Sequence, residues 1–138
     1  MPAGLATYET KYRLLPLPYS IKLYDEASLF SGKIHAVICR SWKSRVKGRD
    51  LYDYVFYLTR NTKFNLDHLR EKLIESHYLS QEDRVDVNFV KALLIARFNE
   101  IDFNDAKKDV LPFIKDTSIL DIWSKEFFIA ITSKLSNR

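Results

Sequence analysis

After Asp25, the apolar residues Leu29, Phe30, Ile34, Val37 and Ile38 return at the three- and four-residue intervals of an α-helix, and Asp25 is placed to cap it. A lysine breaks into the stripe. Lys33 stands four residues from both Leu29 and Val37 and three from Phe30, so the periodicity that demands a helix also puts an ammonium in its buried arc. Left without a partner there, the charge costs several kcal/mol; it must reach water along its stem, pair with a carboxylate, or face a cleft that holds an anion. The following segment supplies carboxylates. Asp50 and Asp53 are three apart and share a helix face with Tyr57, while Leu51, Val55 and Leu58 point the other way into a core.

Charge sharpens this picture. The net charge is a mild +4, yet no acid occurs between Glu26 and Asp50, where Lys33, Arg40, Lys43, Arg45, Lys47 and Arg49 all fall. Such a local field suits a phosphate-bearing partner. Arg40 lies nearly on the stripe of Lys33 two turns on, so both cations can line one cleft. The bland alternatives are equally physical: Lys33 at a core margin with its head in water, and Asp50 in a first helical turn where it complements the dipole. The loop carrying Lys43, Arg45 and Lys47 beside Trp42 offers charge and one stacking surface to an RNA backbone, or is simply a solvated basic loop.

With 138 residues, 46% hydrophobic content, three glycines and four prolines, the chain has the material for one modest core and reads as a single domain over 1–138. Residues 7–14 and 18–24, aromatic and β-branched around an LPLP turn, read as a strand pair or hairpin. Helices are expected at about 26–41 and 49–60, with a loop ending in Gly48 between them. A third runs from Asn65 as cap to about Leu79, and a fourth, introduced by Ser80 and Asp83, to about Ile101. A short helix capped by Asn104 stops near Pro112, and Ser118 opens the last. The expected class is therefore α+β and mainly helical, a small β element followed by five or six helices. Its parts are β segments at 1–24, a helix pair with a basic loop at 25–60, and a helical bundle at 61–138. So small a β element must pack on the helices, continue a sheet supplied by other sequence, or pair with a second copy of the chain.

The single Cys39 forms no internal disulfide and suits a reducing cytoplasm, and no run of about 18 apolar residues calls for a membrane. His35, His68 and His77 lack metal-site spacing, and Asp102, Asp105 and Asp109 read as helix caps, so no metal is assigned to these residues.

Residues 29–54, LFSGKIHAVICRSWKSRVKGRDLYDY, and residues 98–128, FNEIDFNDAKKDVLPFIKDTSILDIWSKEFF, resemble the C-terminal part of the AbiEii/AbiGii toxin family of nucleotidyltransferases. The resemblance implies a polymerase-β-like enzyme that moves a nucleotide from an NTP, with Mg²⁺, to an RNA (tRNA) or protein acceptor. It also implies a paired antitoxin in a toxin–antitoxin or phage-defence module. By the same resemblance Lys33 corresponds to the lysine on the triphosphate; Arg40, from its place near the Lys33 stripe, and Arg49 are further candidate nucleotide contacts. The acids of Arg-Asp-x-Tyr-Asp fall on Asp50, the favoured distal catalytic aspartate, and Asp53, the alternative. A Gly-Ser followed by paired acids, the metal-binding element of such enzymes, does not occur in these residues. The expectation is a C-terminal part that is inactive alone and completed by an N-terminal half supplied elsewhere.

Overall fold

The computed structural model describes residues 25–42 and 47–138, and the expected β segments at 7–14 and 18–24 lie outside them. The described residues form six α-helices: α1 (Glu26–Cys39), α2 (Gly48–Thr59), α3 (Leu66–Glu75), α4 (Val87–Phe98), α5 (Phe103–Val110) and α6 (Lys125–Thr132). Two 3₁₀ turns, Leu111–Phe113 and Thr117–Ile122, join α5 to α6. Extended pairing among the described residues amounts to one parallel bridge, Phe64 to Asn137, where Phe64 N–H reaches the Ser136 carbonyl and Arg138 N–H returns to Phe64.

Helix starts follow side chains that can take an orphan N–H. Asp25 accepts from Ser28 N–H at 2.8 Å and Asn65 from His68 N–H at 3.0 Å, both as the sequence indicates. Three other starts fall elsewhere. Asp86, not Ser80, caps α4 by accepting from Phe89 N–H, while Ser80 and Asp83 close a separate turn. Asp102 rather than Asn104 caps α5, taking the N–H groups of Asn104 and Asp105. Ser124 rather than Ser118 opens α6, and Ser118 sits in a 3₁₀ turn beneath Asp116. Each miss has one cause: several cap-competent residues lie within a few positions, and the one that wins is set by where the following apolar face must land.

Helix ends are as informative. The third helix stops at Glu75, not Leu79, because His77 adopts φ 61° and the N–H groups of His77 and Tyr78 turn back to Ile74 and Leu73. The same left-handed closure ends α2, where Asn61 (φ 59°) and Thr62 donate back to Leu58 and Tyr57. Gly48 is not a loop end but the first residue of α2. A methyl group there would collide with the Ala106 carbonyl, so the absent side chain lets α5 press against the start of α2.

Phe30, Ile34, Val37 and Ile38 of α1 are buried as the stripe demands, but Leu29 is 43% exposed and the true arc is completed by Ala27 and Ser31. Ser31 fixes α1 to the start of α3, donating to the Asn65 carbonyl at 2.7 Å and accepting from its N–H at 2.9 Å. From α2 the core takes Leu51, Tyr54 and Leu58. Phe98, Phe103, Trp123, Phe127 and Tyr54 surround the Phe128 ring at 5.1 to 6.5 Å, in edge-on and stacked contacts suited to aromatic quadrupoles. No helix among the described residues is long and apolar enough to cross a membrane.

Candidate functional site

Helices α1 and α2 run antiparallel with a line of charge along their seam. On α1, Glu26, Lys33 and Arg40 are spaced by seven residues, which returns each side chain to within about 20° of the last. On α2, Asp50, Asp53, Tyr57 and Arg60 repeat by three and four. The partners match in order. Arg40 Nη2 meets Asp50 Oδ2 at 2.7 Å; Lys33 Nζ lies 2.8 Å from Asp53 Oδ2 and 3.6 Å from Asp50 Oδ1; Arg60 Nη2 meets Glu26 Oε1 at 2.8 Å.

Four of these charges are accounted for by helix ends. Glu26 and Asp50 stand in first turns, and Arg40 and Arg60 are the C-caps, so each complements the dipole beside it. Lys33 and Asp53 are in mid-helix and have no such explanation. The Lys33 side chain is 37% exposed, so it lies on the flank of the buried arc rather than within it. Partial burial opposes its charge, but the hydrogen bond and charge of Asp53, joined by Asp50, outweigh that and raise its pKa above the ordinary lysine value. The ammonium is therefore a fixed cation. Tyr57 forms the wall beside it, stacked on Phe30 at 5.1 Å, with its phenol pushed up by burial and then by Asp53 and Glu26.

The two aspartates differ. Asp50 has 12% of its side chain exposed and one oxygen toward each cation, whereas Asp53 is 37% exposed and, among the described residues, meets Lys33 alone. Arg40 is further placed by Trp42, whose ring lies 6.0 Å from the guanidinium and is itself locked by a 2.8 Å bond from Nε1 to the Val37 carbonyl. Of the residues singled out from the sequence, Lys33, Arg40, Asp50 and Asp53 thus come together. Arg49 does not join them; its guanidinium rests 4.4 Å over the ring of Phe113, which is 62% exposed. Lys47 is the half-buried N-cap of α2, and Lys43 and Arg45 lie outside the described residues.

The Glu26–Arg60 pair is not among the residues the sequence singles out, although the heptad spacing of Glu26, Lys33 and Arg40 carries the signal. On the far side of α2, a groove of about 460 Å³ is lined by apolar side chains such as Val55, Phe56, Ile122 and Phe127, with Lys134 at its margin. Its lining is mainly apolar, with Tyr52, Thr59 and Lys134 as the polar side chains. Cys39 is half-buried with its thiol pushed up by burial, the opposite of an activated nucleophile.

Among the described residues, no three His, Cys, Asp or Glu side chains gather in a way that could hold a metal ion. Both Asp50 oxygens already face cations, so the carboxylates at the seam do not fit a divalent ion by themselves.

What the fold and seam define is a helical unit that holds a lysine and an arginine adjacent and partly open over two aspartates. The sequence profile described as "Nucleotidyl transferase AbiEii toxin, Type IV TA system" matches residues 1–130, and the chain belongs to that family. Membership makes it a nucleotidyltransferase toxin at family level and implies an antitoxin as counterpart. No curated protein and no solved structure matches it.

Proposed function

We propose that the seam is the triphosphate-receiving part of a nucleotidyltransferase that moves a nucleotide from an NTP to an RNA, such as tRNA, or to a protein acceptor, within a toxin–antitoxin or phage-defence module. The observation that carries this is Lys33: a mid-helix ammonium, kept charged by Asp53 and Asp50, with more than a third of its side chain open to solvent. Arg40 is the second cation of the site. Triphosphate oxygens are chemically suited to both, since a phosphate takes charge-assisted bonds from an ammonium and a guanidinium at once. Divalent ions bound in such an enzyme would supply positive charge to the transferring phosphoryl group. The acids for them come from outside the described residues, and the described part is inactive by itself.

Calorimetry of an NTP with Mg²⁺, on the wild type and on Lys33→Ala, tests the reading. Binding that weakens at least about tenfold in the variant supports it; equal binding by both proteins removes it.

A second reading, an RNA- or protein-docking module built on residues 40–49, draws on the exposed Phe113 ring stacked with Arg49 beside Lys47. It predicts salt-dependent binding that Lys33→Ala leaves unchanged and charge reversal at Lys47 and Arg49 abolishes.

A further inference from the structure

We infer that Asp50 and Asp53 act on an arriving phosphate in opposite senses. Asp50 is a positioning residue that holds Lys33 and Arg40 side by side, and Asp53 is a displaceable counter-ion that competes with the phosphate for Lys33. The inference rests on the reading of Lys33 as a phosphate contact.

Consider first how each carboxylate is held. Asp50 lies beneath the two cations, largely buried, with Oδ1 toward Lys33 and Oδ2 on Arg40. Arg40 depends on it: Nε of that guanidinium is buried without a hydrogen-bond partner, leaving the contact with Asp50 as the ion pair that orients it among the described residues. Take Asp50 away and a partly buried guanidinium loses the group that fixes its direction, so the two cations no longer converge. With 12% of its side chain exposed, Asp50 offers little access to an anion entering from solvent.

Asp53 is placed differently. It sits at the open rim, as exposed as the lysine it meets, and contacts no second cation among the described residues. A pair this exposed is weak, and a multiply charged phosphate offers Lys33 more charge and more acceptor oxygens than one carboxylate. Lys33 then exchanges Asp53 for phosphate while Asp50 stays in place. Before ligand arrives, Asp53 keeps the half-buried ammonium satisfied; afterwards it stands near the phosphate as a repelling charge.

The two roles predict opposite signs for one chemical change. Removing either negative charge near an anion site should tighten anion binding if only the field matters. With Asp50 as a positioner, Asp50→Asn weakens binding while Asp53→Asn tightens it.

The experiment is calorimetric titration of the full chain with inorganic tripolyphosphate, without metal and at low salt, after circular dichroism has shown each variant folded. Asp53→Asn should bind about threefold tighter and Asp50→Asn about tenfold weaker, and Asp50→Glu, which restores the charge, should recover most of the loss. Tighter binding by Asp50→Asn, or Asp53→Asn no tighter than wild type, overturns the inference. If Asp50→Asn does not fold, Arg40→Gln replaces it, and an unchanged affinity there overturns the inference equally. Lys33→Ala separates the two levels: if it leaves binding intact, or the wild type does not bind, the phosphate site itself is wrong, whereas loss in Lys33→Ala with both Asn variants tightened condemns only the division of roles.

Discussion

Helix α2 presents two contrasting faces. Toward α1 it offers Asp50, Asp53, Tyr57 and Arg60, which meet charged partners across a seam that stays partly wet. Toward α4 and α6 it offers Tyr54, wholly buried among Phe30, Phe98 and Phe128, with its hydroxyl 2.7 Å from Thr132. Thr132 already donates to the Phe128 carbonyl, so Tyr54 is the donor of that bond. Burial raises the Tyr54 phenol far above its ordinary range. The contrast teaches where stability and function part. The aromatic face removes large surface from water and pairs the Tyr54 and Thr132 hydroxyls, whereas the seam leaves Lys33 and Asp53 more than a third exposed.

The strongest way to break this comparison is to truncate the dry face. Tyr54→Ala should cost about 3–5 kcal/mol in urea denaturation, because it empties the centre of the aromatic cluster and unpairs Thr132. A loss no greater than that of a seam variant would show the faces to be equivalent. Next comes the seam itself. Asp50→Asn should destabilise by about 2 kcal/mol, since two partly buried cations lose their shared acceptor, while Asp53→Asn should cost less than about 1 kcal/mol at its exposed rim. Equal costs for the two would erase the distinction between the inner and outer carboxylate.

Below the Asp50 effect lies Tyr54→Phe, about 1 kcal/mol by thermal melting, the net worth of a single buried hydrogen bond. The smallest effect concerns His35, whose Nε2 lies 2.6 Å from Ser76 Oγ and whose pKa is lowered by burial and then by Lys72. A histidine depressed in the folded state contributes stability that is complete above its unfolded value of 6.5 and is lost as pH falls from there through the folded value. Melting temperature should therefore decline between about pH 7 and 5 through this group, and His35→Gln should flatten that decline.

Much of the seam was legible in the chain before its fold was known. Lys33 on a helical stripe, followed by Asp50 and Asp53 three apart on the next helix, left three outcomes open for the ammonium, a reach into water, a carboxylate or an anion cleft, and the structure shows the carboxylate. Arg49 shows the limit of that logic. Adjacent to Asp50 in sequence, it points a helical step away and rests on Phe113, a residue 64 positions further along. The Tyr54–Thr132 bond and the Phe64–Asn137 bridge were equally invisible, since each joins segments more than 70 residues apart with no local pattern to announce it.

The sequence by itself determined the helices with unrivalled caps and the residue types that meet across the α1–α2 seam, because helical periodicity and the cost of a buried charge act over a few residues at a time. Only the tertiary structure decided which carboxylate lies beneath the cations and which at the rim, where α4, α5 and α6 begin, and how the aromatic side chains converge on Phe128. Those outcomes depend on competition among distant surfaces for burial, and no local rule ranks the competitors.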